Sequence, residues 1–443
     1  MRDCGYTSQL VRRAVACVVV VGVAGCAGGA APGTPGSPAT TGAQTEPGNR
    51  YCQVNLAANV DAYQARFTVP EMVNAWGIAI RPQGAGGHFW VGAGGHSYEF
   101  IGDVSVSADP KLRELFQDGL TDVTIPGADS DVTDASIGKT TGVIFNGSDI
   151  NSGKFAVIDQ PAQVGGSTVG LGGSARFIFV TDSGRIAAWG ERGPDGTVVR
   201  VNGPAQEKFN GEPQGMQFFG VAIKQGSFDT LWAADFGAQP QIRQFDQNWQ
   251  LVPTEGFVNP FATGADNQAA PGDPVPFNIT TVGNRVFVTY AISQPSEEPG
   301  VAFNAGEEES LNREQEKAAA DVPNKGKLAE FTSEGELVRV FEDQGRLNAP
   351  WAVAVAPADF GTLGGKVLVG NFGGAGRIAA FDDATGGFVD YLRDQAGAPA
   401  GIDGLWNMLL GNGESLGDAN ALYFAAGPAE EKDGLFGALR PTC

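Results

Sequence analysis

Residues 74–82 read NAWGIAIRP, and residues 348–357 read NAPWAVAVAP, a second Asn-Ala approach to a Trp-led apolar run closed by proline. No other feature constrains the chain as much, because the echo belongs to a series. Short apolar runs that suit innermost strands occur six times: WGIAI (76–80), GVIFN (142–146), GVAIK (220–224), FNITTV (277–282), WAVAVA (351–356) and WNMLLG (406–411). Each is followed by a second run, FWVGA, RFIFVTD, LWAADF, RVFVTYA, KVLVGNF or ALYFAAG. After a turn comes a third, YEFIGD, RIAAWG, QIRQFD, KLAEFT, RIAAFD or GLFGALR. Outer strands are plainest as VVRVN, LVRVFE and FVDYL. Strand, turn and strand repeated with β-branched and aromatic enrichment predict propeller blades, so the expected fold is all-β, a six-bladed β-propeller over residues 51–443. At about 65 residues per unit the blades exceed the usual ~40–50, which places the excess in the connections. Inner strands covered on both faces read as continuous apolar runs, and the aromatic that leads them is expected to pack between neighbouring blades.

The sixth unit ends at GLFGALRPTC without a fourth strand, and CQVNLAA (52–58) precedes the first unit without a blade. Lending the N-terminal strand to the last blade solves both problems and removes an exposed edge. Antiparallel pairing would then set Cys52 beside Cys443. The cysteines point the same way. Of five, Cys4 and Cys17 fall in a leader and Cys26 at its end, which leaves Cys52 and Cys443 as an expected disulfide in an exported chain.

The leader itself is read from Arg2, Arg12 and Arg13, followed by AVACVVVVGVA, too short to span a bilayer as a helix, and by VAGC at 23–26. This matches a lipoprotein signal over residues 1–25 with Cys26 as the lipidated residue; an ordinary signal peptide cut nearby is the alternative. Residues 26–50, rich in Gly, Pro, Ala and Thr, are expected to form a disordered tether. The expected location is the bacterial cell envelope, with the membrane reached through the lipid alone.

Removing Arg2, Arg12, Arg13 and Asp3 with the leader takes the formal charge from −21 to −23. So acidic a chain is a poor partner for nucleic acid or for an anionic membrane surface. The charge is read first as a source of solubility, and a monomer is expected.

The stretches NAWGIAI…FWVG, FIFVTDSGRIAAW, LWAADF, LNAPWAVAVAP…VLVGNFGGAGRIAAFD and GLWNMLLGNG…GDANALYFAAGP resemble a family of exported bacterial proteins, many carrying a PEP-CTERM sorting tail. The likeness spans almost all of residues 52–440. RPTC at 440–443 is not of that tail's kind, so the lipobox is expected to anchor the chain instead. The family has no assigned activity, and the resemblance implies only a propeller fold and export. More remotely the blades are similar to NHL-repeat and gluconolactonase-type six-bladed propellers, and the latter place a metal in a ring at the channel.

In a propeller, the loops that open the inner strands and the turns between second and third strands share one face. Polar residues expected there are Asn74, Thr141, Asn278, Asn348 and Asp403 at the strand starts, with Asp182, Asp235 and Asn371 in the turns. Asn74, Asn278, Asn348 and Asp403 form a candidate oxygen ring for Ca2+ or another ligand. Alternatively, Asx side chains cap their own turns, the preferred reading for Asp182, Asp235 and Asn371. The only histidines are His88 and His96, both in the first unit, so a Ser-His-Asp triad or a His-rich metal site has little material. No phosphate-binding or dinucleotide fingerprint opens a helix. The charged insertion at 293–326 should overhang the same face as a lid or, preferably, as a solvated loop. Two functions remain: a surface binding or scaffolding module that takes a protein, glycan or small molecule at the channel face, and a Ca2+-dependent hydrolase of lactonase type. With one carboxylate, Asp403, in the strand-start set, the first is preferred.

Overall fold

The computed structural model describes residues 48–129, 131, 138–294, 302–306, 308 and 322–441. The leader, Cys26, most of the tether and Cys443 lie outside these residues, as does most of the insertion.

Six antiparallel sheets are arranged around one axis, as the repeat predicts. Their innermost strands are Ala75–Ala79, Thr140–Phe145, Phe218–Ile223, Pro274–Val282, Pro350–Val355 and Leu405–Leu410. Each inner strand lies beside the next, and the sixth returns to the first, so the ring is closed. The core is therefore not one mass but six wedges, one at each seam between blades. At the seam of the first and second blades, for example, Trp90 packs against Phe177, Phe179 and Trp189. Between the third and fourth, Trp232 and Ala234 meet Ile279 and Val288.

Closure runs through the N-terminal strand. Cys52–Ala58 pairs antiparallel with Leu435–Arg440, with Cys52 opposite Arg440 and Ala58 opposite Leu435. A short strand, Phe67–Thr68, adds in parallel outside it. The seam with the first blade is locked by charge. The Arg440 guanidinium ion-pairs with Asp103 of the first blade and Asp418 of the sixth. The Tyr423 hydroxyl donates to Asp103 Oδ2 at 2.6 Å. Gln395 Nε2 donates to the Cys52 sulfur at 3.2 Å.

Two assignments change. VVRVN is not the outer strand of the second blade; Gln206–Asn210 is, paired with Arg185–Trp189. Val198 makes only an isolated bridge to Arg192 and is 55% exposed, so that run has no partner strand to bury it. A further hairpin, Ala156–Val164 with Ser167–Ser174, stands between the first and second strands of the same blade. Gly165 and Gly166 turn it with φ of 58° and 83°, the left-handed pair that a two-residue hairpin turn requires.

Candidate functional site

The central channel has two ends, a head where the inner strands begin and a foot where they finish. In every blade the pairing of first and second strands skips at the head. The skipped residues are Trp76 with Gly77, Thr141, Phe219, Phe277, Trp351, and Trp406 with Asn407. A bulge of this kind re-aims a side chain. Here it turns five aromatic residues toward the axis, and they meet one another across the channel rather than filling the seams between blades. Trp406 stacks on Trp76 with centroids 3.4 Å apart and on Phe372 at 3.8 Å. Trp76 meets Phe219, two blades away, edge to face at 5.4 Å. Trp351 Nε1 donates to the Phe219 carbonyl at 2.8 Å, again spanning two blades. The blade without an aromatic uses Thr141, whose hydroxyl donates to the Phe218 carbonyl at 2.6 Å.

Small residues beside the bulges let the inner strands close up. A Cβ on Gly77 would sit 2.7 Å from the Val143 nitrogen, and one on Gly220 would sit 1.8 Å from Asn278 Oδ1. The described part of the charged insertion completes the stopper. Phe303 packs on Phe277 at 5.0 Å and Phe372 at 5.4 Å. Glu308 is buried, pairs with Arg377 at 3.0 Å and accepts from Asn348 Nδ2.

The polar residues expected at the head are there, and their oxygens are engaged within the fold. Asn74 Oδ1 accepts from Trp406 Nε1 at 2.8 Å. Asn278 Oδ1 accepts from the Ile279 amide, and its Nδ2 donates to the Trp351 carbonyl at 2.8 Å. Asn348 Oδ1 accepts from the Gly306 amide. Exposed Asp403 accepts from the Ala429 amide at 3.0 Å. The turn residues tie down the strand starts of their own blades: Asp182 accepts from the Lys139 amide, Asp235 from the Gln217 and Gly237 amides, and Asn371 from the Asn348 amide. Arg243 Nε also reaches Asp235, at 2.8 Å. No group of three or more His, Cys, Asp and Glu side chains among the described residues is arranged to hold a metal.

Glu431 is the head-end residue that the repeat did not flag. It ends a run of three left-handed non-glycine residues, Ala429, Glu430 and Glu431, with φ of 56°, 58° and 64°. Such residues are each strained by about 1–2 kcal/mol. Its Oε1 accepts from Asn74 Nδ2 at 3.0 Å, so the carboxyl, Asn74 and the stacked Trp406 form one chain. Burial, with a smaller contribution from Asp182, pushes the Glu431 carboxyl up to about 7. Burial likewise pushes Asp182 up to about 6. The histidines stand apart. His88 Nε2 meets Asp118 at 2.9 Å, and burial lowers its pKa; His96 Nδ1 meets Asp122 at 2.6 Å, and that bond raises its pKa.

Below the stopper the channel is hollow. Ile78, Val143, Val221, Ile279, Val353 and Met408, one from each blade, form a buried collar around a cavity of about 250 Å3. Trp351 belongs to its wall on the head side. Toward the foot the lining becomes half-buried at Ile144, Thr281, Val355, Leu409 and Leu410, and there the cavity opens. The accessible end is thus the opposite of the one the strand-start residues suggested. Asn278 and Asn407 occupy the same position in their blades, the residue after the axial aromatic, and both line the cavity. Aligning FNITTV with WNMLLG would have found Asn407.

These features define a six-bladed β-propeller stoppered at its head and open at its foot. Comparison with known proteins adds relatives without a named activity. No protein-family model matches the chain. Two uncharacterised proteins of Acanthamoeba polyphaga mimivirus are similar to it. One is 27% identical over 392 residues, covering 87% of this chain and 80% of the relative. The other is 32% identical over 216 residues, 48% of this chain and 49% of the relative. Among solved structures, the WD40 β-propeller domain of Doa1 gives a TM-score of 0.38 at 9% identity, covering 82% of this chain and 77% of that one. The WD40 domain of Neurospora crassa Pan2 gives 0.38 at 12%, covering 88% and 96%. The relatives are viral, whereas the resemblance in the sequence pointed to exported bacterial proteins.

Proposed function

We propose that the chain is a binding or scaffolding propeller and that its binding end is the foot of the channel. One observation carries this reading: a channel closed at the head by an aromatic stopper and open at the foot over apolar, half-buried walls. A ligand cavity of this kind is concave, mostly apolar and preformed. The hydrolase alternative needs a metal at the head, and there the Asn74, Asn278 and Asn348 oxygens already accept from Trp406, Ile279 and Gly306, which leaves Asp403 as the one exposed carboxylate of the set. A photo-crosslinking residue placed at Leu410, and separately at the outward Val338, tests the reading in the native host. Adducts confined to position 410 are expected; equal labelling at both positions sinks it.

Export, lipid attachment at Cys26 and a Cys52–Cys443 disulfide belong to the same proposal. The leader supports the first two, and the register supports the third, since Cys52 faces Arg440, three positions before the second cysteine. Cys26→Ser should release the protein from membranes, and retention at unchanged size counts against lipidation. Peptide mapping should recover the disulfide-linked pair; two alkylated thiols would end that part.

A further inference from the structure

Resting on the reading of the foot as the binding end, we propose that the channel cavity is a site for a small, uncharged, largely apolar molecule bearing one oxygen acceptor. The size follows from the volume. A dry apolar cavity of about 150 Å3 takes benzene, so the 250 Å3 here suits about ten non-hydrogen atoms. The apolar character follows from the collar, six buried aliphatic or thioether side chains with no water-holding group among them.

The absence of charge is the sharper argument. Among the described residues no Asp, Glu, Lys, Arg or His lines the cavity, in a chain whose formal charge is −21. A charged ligand would leave its water without meeting a counter-charge, and that desolvation is among the most unfavourable steps a protein can ask for. The acceptor follows from the mouth. Thr280 Oγ1 accepts from Asn278 Nδ2, and Thr281 Oγ1 accepts from Gln225 Nε2. Each hydroxyl keeps its own proton to donate, and both residues line the cavity on the blade whose inner strand reaches furthest toward the foot. A ketone, ester or ether oxygen fits that position, with its carbon chain directed up against the collar.

Isothermal titration of the full chain with 2-octanone, octanoate and octylamine tests this, since the three share a carbon count and differ in charge. Saturable one-to-one binding of 2-octanone is expected, with each charged analogue at least tenfold weaker. Leu410→Trp, which fills the half-buried mouth, should abolish 2-octanone binding at an unchanged melting temperature, and Val338→Trp on the outer strand should leave binding intact. The inference is overturned by the absence of 2-octanone binding, by octanoate binding as tightly, or by binding that survives Leu410→Trp. Crosslinking at position 410 by a protein that ignores 2-octanone would overturn this inference alone. Binding of 2-octanone without such adducts would keep the foot as the binding end and overturn only the scaffolding role.

Discussion

The two ends of one channel are built from the same six strands and come out as opposites. At the head, bulges bring Trp76, Phe219, Phe277, Trp351 and Trp406 to the axis, and the side-chain oxygens of Asn74, Asn278 and Asn348 are spent on an indole or an amide. At the foot, the same strands return to regular pairing and present Val, Ile, Leu and Thr to an opening. The difference teaches that in a small propeller the bulge, rather than the strand, decides which end is solid. Moving one residue out of register per blade is enough to fill one end and leave the other hollow.

The largest test of this contrast removes mass from each end. Trp406→Ala should cost about 3–5 kcal/mol by chemical denaturation, because the indole is fully buried between two stacked rings and holds Asn74. Leu410→Ala at the mouth should cost about 1 kcal/mol or less, since the side chain is half-buried against a cavity that already exists. Equal losses would mean that the ends are packed alike.

Next in size is Asn278→Ala. It removes the shorter of two bonds to the Trp351 carbonyl, leaving Thr289 at 3.5 Å, and takes the side-chain acceptor from the Ile279 amide, a loss of about 1–3 kcal/mol. Asn407→Ala, at the equivalent position with a half-buried side chain, should lose less. A reversed order in the melting temperatures would break the assignment of solid and hollow ends.

The head should also respond to pH. The Glu431 carboxyl is raised above its ordinary 4.5 to about 7 by burial, so the folded state binds that proton more tightly than the unfolded chain. Its contribution is therefore present below pH 4.5 and lost as pH rises through 7, an effect on the order of 1–2 kcal/mol once partial exposure is discounted. Glu431→Gln should match the parent near pH 4 and exceed its stability near pH 8. Asp182, raised in the same direction, leaves a shallower slope in the variant. A variant that loses stability as steeply as the parent removes Glu431 from the account. The smallest effect is expected for Thr281→Val at the foot, within about 0.5 kcal/mol of the parent in the same denaturation assay.

The blades were legible in the sequence because burial on both faces leaves no polar alternation, and six such runs are hard to mistake. Ring closure was legible from a missing strand at one end and a spare one at the other. The direction of the aromatics was not. Trp76 and Trp351 read like any buried core residue, and only the skipped register shows that they face the axis. VVRVN has the composition of an outer strand, yet Gln206–Asn210 takes that place, since an edge strand needs only one buried face and carries a weak pattern. The hairpin at 156–174 was readable from Gly165-Gly166 between two alternating runs. The repeat puts Asn74, Asn278, Asn348 and Asp403 at strand starts, but sequence gives no sign of whether an oxygen there faces a ligand or a neighbouring indole. Glu431 lies in a turn between second and third strands, 427–434, that is longer than those of every blade but the fourth, and that extra length was its one available signal.

The strand that closes the ring pairs residues about 390 positions apart, Cys52 with Arg440. A ribosome delivers one partner well before the other, and at roughly 5–20 residues per second the interval is about 20–80 s. Throughout it, Leu56, Ala57 and Ala58, fully covered in the finished molecule, have no sheet to join. Blades can form in order behind them, each borrowing a neighbour, but the sixth has no outer strand and the first has an uncovered flank until Leu435–Arg440 emerges. Ring closure is thus timed by the emergence of Leu435–Arg440, and a nascent chain stalled before residue 435 holds Cys52–Ala58 exposed to any other open edge in reach.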